Sequence, residues 1–452
     1  TAYEIYQCDW SSDVCSSDLA YLMAEIVMIP FAGFLARALS TRWLFVLSAG
    51  LFTLASALCG MAWNIDSMIA FRAFQGFVGG AMVPTVWATG FVLFSGRDRS
   101  LASSILGVVT MLAPTLGPTV GGWITDAVGW RWIFYINILP GLLVTLLSGL
   151  LIRVDHAQPA LLRRFDWAHL GSMAIFLSGL EYVLEEGPRH GWLQDPGIAV
   201  TAWTAGVAFV LFIERSLNSA APVVRLSPMA RPGFVFSSAF SVVVSGGIFA
   251  ATYLVPVFLG RVRGYSSLEI GTTVFVTGLG MIVSAPLTMR LLQVLDPRWV
   301  MAMGLSVFAA SLWLFSDMGP QWGFAELFWP HVLRGLAGML CVVPAANIAL
   351  ADATGEELRH ASGLFNLMRN LGGAIGIAVV NTWLQDDTRL HAARFGEALG
   401  ANDTAATQAL AQLAQHVLQF SRDSALALQA ARAEFGRVVQ MHSLTLAFDD
   451  SF

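Results

Sequence analysis

Apolar residues fall along this chain in long blocks, and polar ones gather in the short gaps between them. Spanning a bilayer takes ~20 apolar residues in a helix. Twelve blocks approach or exceed that length: Ala20–Leu39, Trp43–Trp63, Ser67–Phe94, Leu101–Thr125, Trp132–Ile152, Trp167–Leu184, Gly197–Leu217, Phe234–Leu259, Leu268–Leu292, Trp299–Phe315, Phe324–Leu350 and Ala361–Leu384. A buried helix of a large soluble protein would still show polar positions recurring at helical spacing. These blocks show none, so the pattern predicts an all-α polytopic membrane protein. Two stretches break it. Thr1–Leu19 is polar, and Gln385 to Gln440 is polar, alanine-rich and patterned for amphipathic helix.

The gaps also set orientation, because cytoplasmic loops carry an excess of basic residues. Let the loop after the first block lie inside, with sides alternating. The inner loops and flanks then hold Arg37, Arg42, Arg97, Arg99, Arg153, Arg163, Arg164, Arg215, Arg225, Arg231, Arg290, Arg298 and Arg359. The short outer loops hold only Arg131, Arg189, Arg261 and Arg263. The first block then starts outside, so an inside N-terminus would need one more helix before it. The stretch after Leu384 falls outside by the same count.

Two internal matches point to duplication. "PFAGFLARALSTRW" (Pro30 to Trp43) lines up with "PLTMRLLQVLDPRW" (Pro286 to Trp299), with Pro30/Pro286, Leu35/Leu291, Arg42/Arg298 and Trp43/Trp299 all 256 positions apart. "ASSILGVVTMLAPTLG" lines up with "ASGLFNLMRNLGGAIG", with Ala102/Ala361, Ser103/Ser362, Leu112/Leu371 and Gly117/Gly376 all 259 apart. An even number of spans separates the copies, so both run the same way across the membrane. That is a parallel repeat, whose halves are related by an axis along the membrane normal.

Composition agrees. The 452 residues are 56% hydrophobic and 12% charged, with mean hydropathy +0.66, against roughly 25% charged in an average soluble domain. All 25 basic residues are arginine. No cysteine spacing suggests a metal site or a disulfide framework. Phosphate loop, zinc signature and nucleophile elbow are all missing. The expectation is a non-enzyme with no metal and no cofactor.

Charges inside the blocks are few, and each is a functional candidate by default because charge in hydrocarbon is costly. The candidates are Glu25, Arg72, Glu181, His331, Arg334 and Arg369, the last beside Asn370. Each also has a plainer reading as a structural ion pair or a snorkelling end group. A carboxylate shielded from water can load and unload a proton near neutral pH, and a nearby arginine would tune that step. "APTLGPTVGG" places Pro114, Gly117, Pro118, Gly121 and Gly122 in one block. Gly117 and Gly121 share a helix face and would admit close helix approach, and Pro118 favours a bend.

At these residues the chain resembles the major facilitator superfamily, and within it the drug:proton antiporter family with fourteen spans. "RAFQGFVGGAMVP", with Arg72 and Gln75, is similar to the fourth-helix motif, an arginine followed by a glutamine-glycine pair. "APTLGPTVGGWITDAVGWRWIFYINILPG" resembles the fifth-helix motif characteristic of exporters. "GFLARALSTRW", with Gly33, Arg37 and Arg42, matches the cytoplasmic gating loop only in part: the family usually has an acid where Arg37 stands and a glycine near Ser40. "RNLGGAIGIA" fits the thirteenth helix.

The resemblance implies a major facilitator fold with two pseudo-symmetric bundles and about twelve of fourteen spans present. Residues 20–152 would be the first bundle (family helices 2–6), 153–217 an inserted helix pair (7–8) and 218–384 the second bundle (9–13). Residues 385–440 would be a polar outer loop and 441–452 the start of a cut-off last helix. The implied function is proton-coupled efflux of lipophilic drugs or other small molecules across the bacterial inner membrane. Glu25, Arg72, Gln75, Arg369 and Asn370 would serve coupling and transport. Partners would be the lipophilic substrate, protons, the bilayer and a periplasmic adaptor of a three-part pump, with no nucleic acid. Alternatives are export of an endogenous metabolite (a fatty acid, peptide or siderophore) and a non-transporting sensor or scaffold. The opening segment has its own reading: "TAYEI" and "DWSSDVCSSDL" look like a translated sequencing-library adapter. Thr1–Leu19 is therefore expected to be foreign sequence standing where the first helix belongs, with no redox meaning for Cys8 or Cys15.

Overall fold

The computed structural model describes residues 12–94, 96–219, 222–351, 353, 355–398 and 424–452. Among these there are helices and no strands. In chain order they are α1 (Ser12–Leu39), α2 (Thr41–Gly60), α3 (Ile65–Gly79), α4 (Met82–Leu93), α5 (Gly96–Val128), α6 (Trp132–Tyr135), α7 (Ile138–Leu151), α8 (Trp167–His190), α9 (Pro196–Asn218), α10 (Pro232–Arg261), α11 (Ser267–Val294), α12 (Pro297–Phe315), α13 (Phe324–Leu350), α14 (Gly355–Ala398) and α15 (Ser424–Ser451). All twelve apolar blocks lie on helices. Ten spans among the described residues are long and apolar enough to cross a membrane, α3 and α4 together forming one of them. The block on α8 is not among the ten, because its apolar run carries His169 and Glu181; that on α5 includes side chains outside the described set.

The duplication is visible in how the halves meet. The sequence repeat pairs α1 with α11 and α5 with α14. In the fold, α1 packs on α14, and α5 packs on α11. Exchanging the halves therefore turns one seam into the other. Within the first half α3 packs against α1 and α2; within the second, α13 packs against α11 and α12. The α8–α9 pair lies between the halves in sequence, and α8 lies along the α1–α14 seam, touching both helices.

Local chemistry fixes the ends. Asn64 and Ser67 cap α3 reciprocally, as do Ser266 and Glu269 for α11, each satisfying amides the helix leaves open. Asp195 caps α9 through the Gly197 and Ile198 amides. His169 is fully buried at the other end of this pair: its Nε2 lies 3.0 Å from the Ser216 hydroxyl, and its Nδ1 accepts the Val223 amide at 3.2 Å. Both ring nitrogens thus have partners, and His169 staples α8 to the chain after α9.

The apolar core is uneven along the membrane normal. At the arginine-rich end one continuous cluster draws Phe34 from α1, Trp87 from α4, Met173 from α8, Phe234 from α10, Ala345 from α13 and Leu364 from α14. Both halves and the inserted pair share it. At the opposite end a separate cluster belongs to the second half alone, with Leu254, Val274, Phe315, Leu327 and Phe448. The halves are thus sealed together at the arginine-rich end.

α14 continues well past Leu384, so the first part of the expected outer loop is helix. Residues 399–423 of that loop lie outside the described residues. The closing stretch is already packed: Phe448 is fully buried against Phe258, and Phe452 stacks on Phe315.

Glycines set the helix spacing. A Cβ on Gly376 of α14 would stand 2.2 Å from the Gly246 carbonyl oxygen of α10, and one on Gly372 would stand 2.4 Å from that of Val242. Backbone cannot yield there as a side-chain tip can. Gly376→Ala should therefore cost ~1–3 kcal/mol by overpacking. Gly206→Ala, on an exposed face of α9 with nothing within 4 Å, should be neutral or stabilising by up to ~1 kcal/mol. Thermal unfolding in detergent separates the two; equal melting temperatures would contradict this account of the α10–α14 contact.

Candidate functional site

The first half holds a buried polar network. Arg72 of α3 donates to Gln75 Oε1 at 2.9 Å, one turn on. Gln75, 2% exposed, donates from Nε2 to the Ser56 hydroxyl of α2 at 3.1 Å. Ser56 in turn accepts from Asn137 Nδ2 at 3.1 Å and donates to the Phe134 carbonyl at 3.0 Å. The Arg72 guanidinium lies 4.3 Å from the centre of the Tyr21 ring, a cation–π contact. Arg72 also pairs with Asp18. Asp18 belongs to the segment expected to be foreign, and we assign it no role. Gly76 lets this happen: a Cβ there would stand 2.1 Å from the Tyr21 carbonyl oxygen, so α1 and α3 touch backbone to backbone.

Glu25 sits one turn along α1 from Tyr21, half-buried, with its backbone carbonyl against Gly80. It lies within electrostatic reach of Arg72 in its own half and of Arg369 in the other. Arg369 is 6% exposed on α14. Asn370 is half-buried beside it, turned about 100° round the helix. Glu25 on α1, at the α1–α14 seam, thus lies within electrostatic reach of one arginine from each half. Glu181 of α8 joins this region. It is 5% exposed, its Oε2 has no hydrogen-bond partner, and it is in reach of Glu25 and Glu185. Ser178, one turn before it, donates to the Met23 carbonyl at 3.3 Å.

The second half carries a counterpart that the sequence repeat did not reveal. A Cβ on Gly335 of α13 would stand 2.2 Å from the Thr277 carbonyl oxygen of α11. Gly335 and Thr277 are 259 and 256 positions beyond Gly76 and Tyr21, the same offsets as the sequence matches. His331 and Arg334 therefore occupy the places of Arg72 and Gln75. His331 Nδ1 lies 2.7 Å from Thr277 Oγ1, and Arg334 donates to that oxygen at 3.0 Å. Both stand against the Phe315 ring. Different residue types at equivalent places hid this from sequence comparison; only the glycine contacts reveal it.

On α5 the expectation is corrected in part. Gly117 has nothing within 4 Å, so it makes no close helix contact. Its repeat partner Gly376 does. The tight crossing of α5 on α11 comes from Gly122, whose Cβ would meet Ser267 at 2.8 Å, and from Gly271 against Thr119. Gly121 is buried. The helix runs unbroken through Pro114 and Pro118, whose side chains lie outside the described ones.

At the arginine-rich end, Gly33 of α1 faces the backbone of Arg359 and His360 on α14, with its Cβ position 3.0 Å from the Arg359 oxygen. Arg37 is 3% exposed and stacks over Phe34; Arg42 lies over Trp43. Ser40 has φ 79° and ψ 153°, a region almost reserved for glycine. That accounts for the glycine the family favours near this position. Its hydroxyl accepts the Trp43 amide at 3.4 Å, a weak cap.

Two helix bundles related by a pseudo-twofold, sealed together at one end and with charges buried near their seam, define the two-bundle class of membrane transporters. The chain belongs to the Major Facilitator Superfamily, whose model matches residues 14–377. It is 34% identical over 445 residues to the colistin resistance protein EmrB of Acinetobacter baumannii, covering 98% of this chain and 85% of that one. It is 28% identical to the multidrug export protein EmrB of Escherichia coli K12, covering 83% and 74%. Against the fatty acid resistance protein FarB of Neisseria gonorrhoeae it is 28% identical over 88% and 78%. The crystal structure of the human organic anion transporter MFSD10 has the same fold, with TM-score 0.57 at 17% identity over 81% and 77% of the chains. The protein is a multi-pass membrane transporter and not an enzyme.

Ser40→Gly should raise stability by ~1 kcal/mol, since relief of the strained dihedral exceeds the few tenths lost with the cap. A lower melting temperature for Ser40→Gly would refute the strain assignment.

Proposed function

We propose that this protein exports lipophilic small molecules across the bacterial inner membrane in exchange for protons. The observation that carries it is Glu25 on α1 at the α1–α14 seam, within electrostatic reach of Arg72 of its own half and of Arg369 of the other. An ionised Glu25 attracts both arginines and draws α1 towards α14. A protonated Glu25 does not. Proton occupancy would thereby bias the packing of the bundles, which is what coupling requires. Relatives named for colistin resistance and multidrug export support a drug-like cargo. The relative named for fatty acid resistance favours a second reading, export of fatty acids or similar amphiphiles. Apolar pockets discriminate weakly among such molecules, so a growth panel of dyes, antibiotics and fatty acids decides between them.

Glu25→Gln should cut substrate-induced proton movement in proteoliposomes at least tenfold while leaving substrate binding measurable. Arg72→Ala should lower it by a similar factor. Wild-type exchange in both variants would remove these residues from the coupling site.

The outer arms support a docking role for a periplasmic adaptor. α14 runs on to Ala398 and α15 starts at Ser424, and the two pack together, with His391 and Asp450 2.8 Å apart. Deleting residues 399–423 should leave folding intact and lower drug resistance in cells. Unchanged resistance would end the adaptor reading.

A further inference from the structure

We infer that Asp155 is the acid that locks the two halves together at the arginine-rich end, in place of the one missing at Arg37. The inference rests on the proposed export function, which requires the halves to part at this end in turn. Asp155 lies in the loop after α7, outside the gating-loop motif, and the sequence reading did not single it out.

Its carboxylate has three partners on two other elements. Oδ1 accepts the Thr41 amide at 2.9 Å, and Oδ2 accepts the Thr41 hydroxyl, also at 2.9 Å. Oδ2 also accepts from Arg359 Nη2 at 2.6 Å. Thr41 opens α2, so the carboxylate sits on the positive end of that helix and satisfies one of its open amides. Arg359 belongs to α14, in the other half. A single side chain therefore joins the start of α2 to the start of α14, 204 positions away from it in sequence. Asp155 and Arg359 are 12% and 15% exposed. Partial burial sets this pair apart from surface ion pairs, which contribute little.

The surroundings explain why the joint falls here. Gly33 brings α1 against the Arg359 backbone. Gly363, one turn further along α14, faces the Ile29 oxygen at 3.2 Å from its Cβ position. Ser362 donates across the seam to the Pro84 carbonyl of α4 at 2.8 Å. The Asp155 loop is itself held by the Gln158 amide, which donates to the Arg37 carbonyl at 3.0 Å. Thus the gating loop contributes the Arg37 carbonyl and the Thr41 amide and hydroxyl, while the carboxylate comes from after the last helix of the bundle. Opening towards this end must break the Asp155–Arg359 contact and can leave Asp155–Thr41 whole. The carboxylate then stays satisfied within its own half, and the lock can reclose without a stray buried charge.

The test uses the complete protein with spin labels at Phe94 and Arg290, two exposed positions on opposite halves near this end. Asp155→Asn and Arg359→Gln should each move at least half of the molecules to a longer inter-label distance. The double exchange Asp155→Arg with Arg359→Asp should restore the short distance at least in part. It tests the cross-seam pair rather than the cap on α2. Substrate exchange is measured on the same samples. Unchanged distances in both single variants would overturn the lock. Lengthened distances in Asp155→Asn with none in Arg359→Gln would reduce Asp155 to a helix cap and also overturn it. Lengthened distances in both variants support the lock even where no tested substrate exchanges with protons; that failure would fall on the proposed function instead.

Discussion

In a bilayer, helices gain nothing from hiding apolar surface from their neighbours, since lipid is as apolar as leucine. What holds this protein together is close backbone contact, made where glycine removes the side chain from one partner. Gly76 on Tyr21, Gly335 on Thr277, Gly376 on Gly246 and Gly122 on Ser267 are four instances. Each brings two helices near enough for van der Waals contact along several turns. Two of them also align polar side chains that would otherwise be stranded in hydrocarbon. The Arg72–Gln75–Ser56 chain and the His331–Thr277–Arg334 cluster both stand beside such a contact.

The same constraint divides the molecule into a tight end and a looser one. At the arginine-rich end the shared apolar cluster, the Ser362 hydrogen bond and the Asp155 contact all cross between halves. At the other end the core belongs to the second half only. Glu25 and Arg369 lie between these regions, so a change of charge there acts on a joint already asymmetric along the membrane normal.

The architecture was largely legible in the sequence, because the bilayer demands unbroken apolar blocks and leaves arginine to the loops. The repeat was legible where proline, arginine and tryptophan recur at fixed offsets. Glu25, Arg72 and Arg369 were legible as charges in hydrocarbon, although the reach of Glu25 to both arginines was not, since they lie on three helices far apart in sequence. Ser56 and Asn137 gave no signal, being small polar residues that are ordinary in membrane helices. Asp155 resembled any loop carboxylate. Gly117 misled because spacing defines a helix face without saying which neighbour that face meets. Ser40 was noted as the place where the family prefers glycine, and its backbone dihedrals supply the reason.

The position of α8 has a consequence for how cargo reaches the protein. A helical transporter with two seams has two lateral doors through which a molecule dissolved in the membrane can slip between the bundles. Here α8 lies over the α1–α14 seam, stapled at one end by His169 and tied at the other by Trp192, which donates to Thr382 at 3.2 Å. That door is covered by protein. Among the described residues the α5–α11 seam has no such cover and is closed by the Gly122 and Gly271 crossings, so the inserted pair makes the two sides of the molecule unequal towards the lipid.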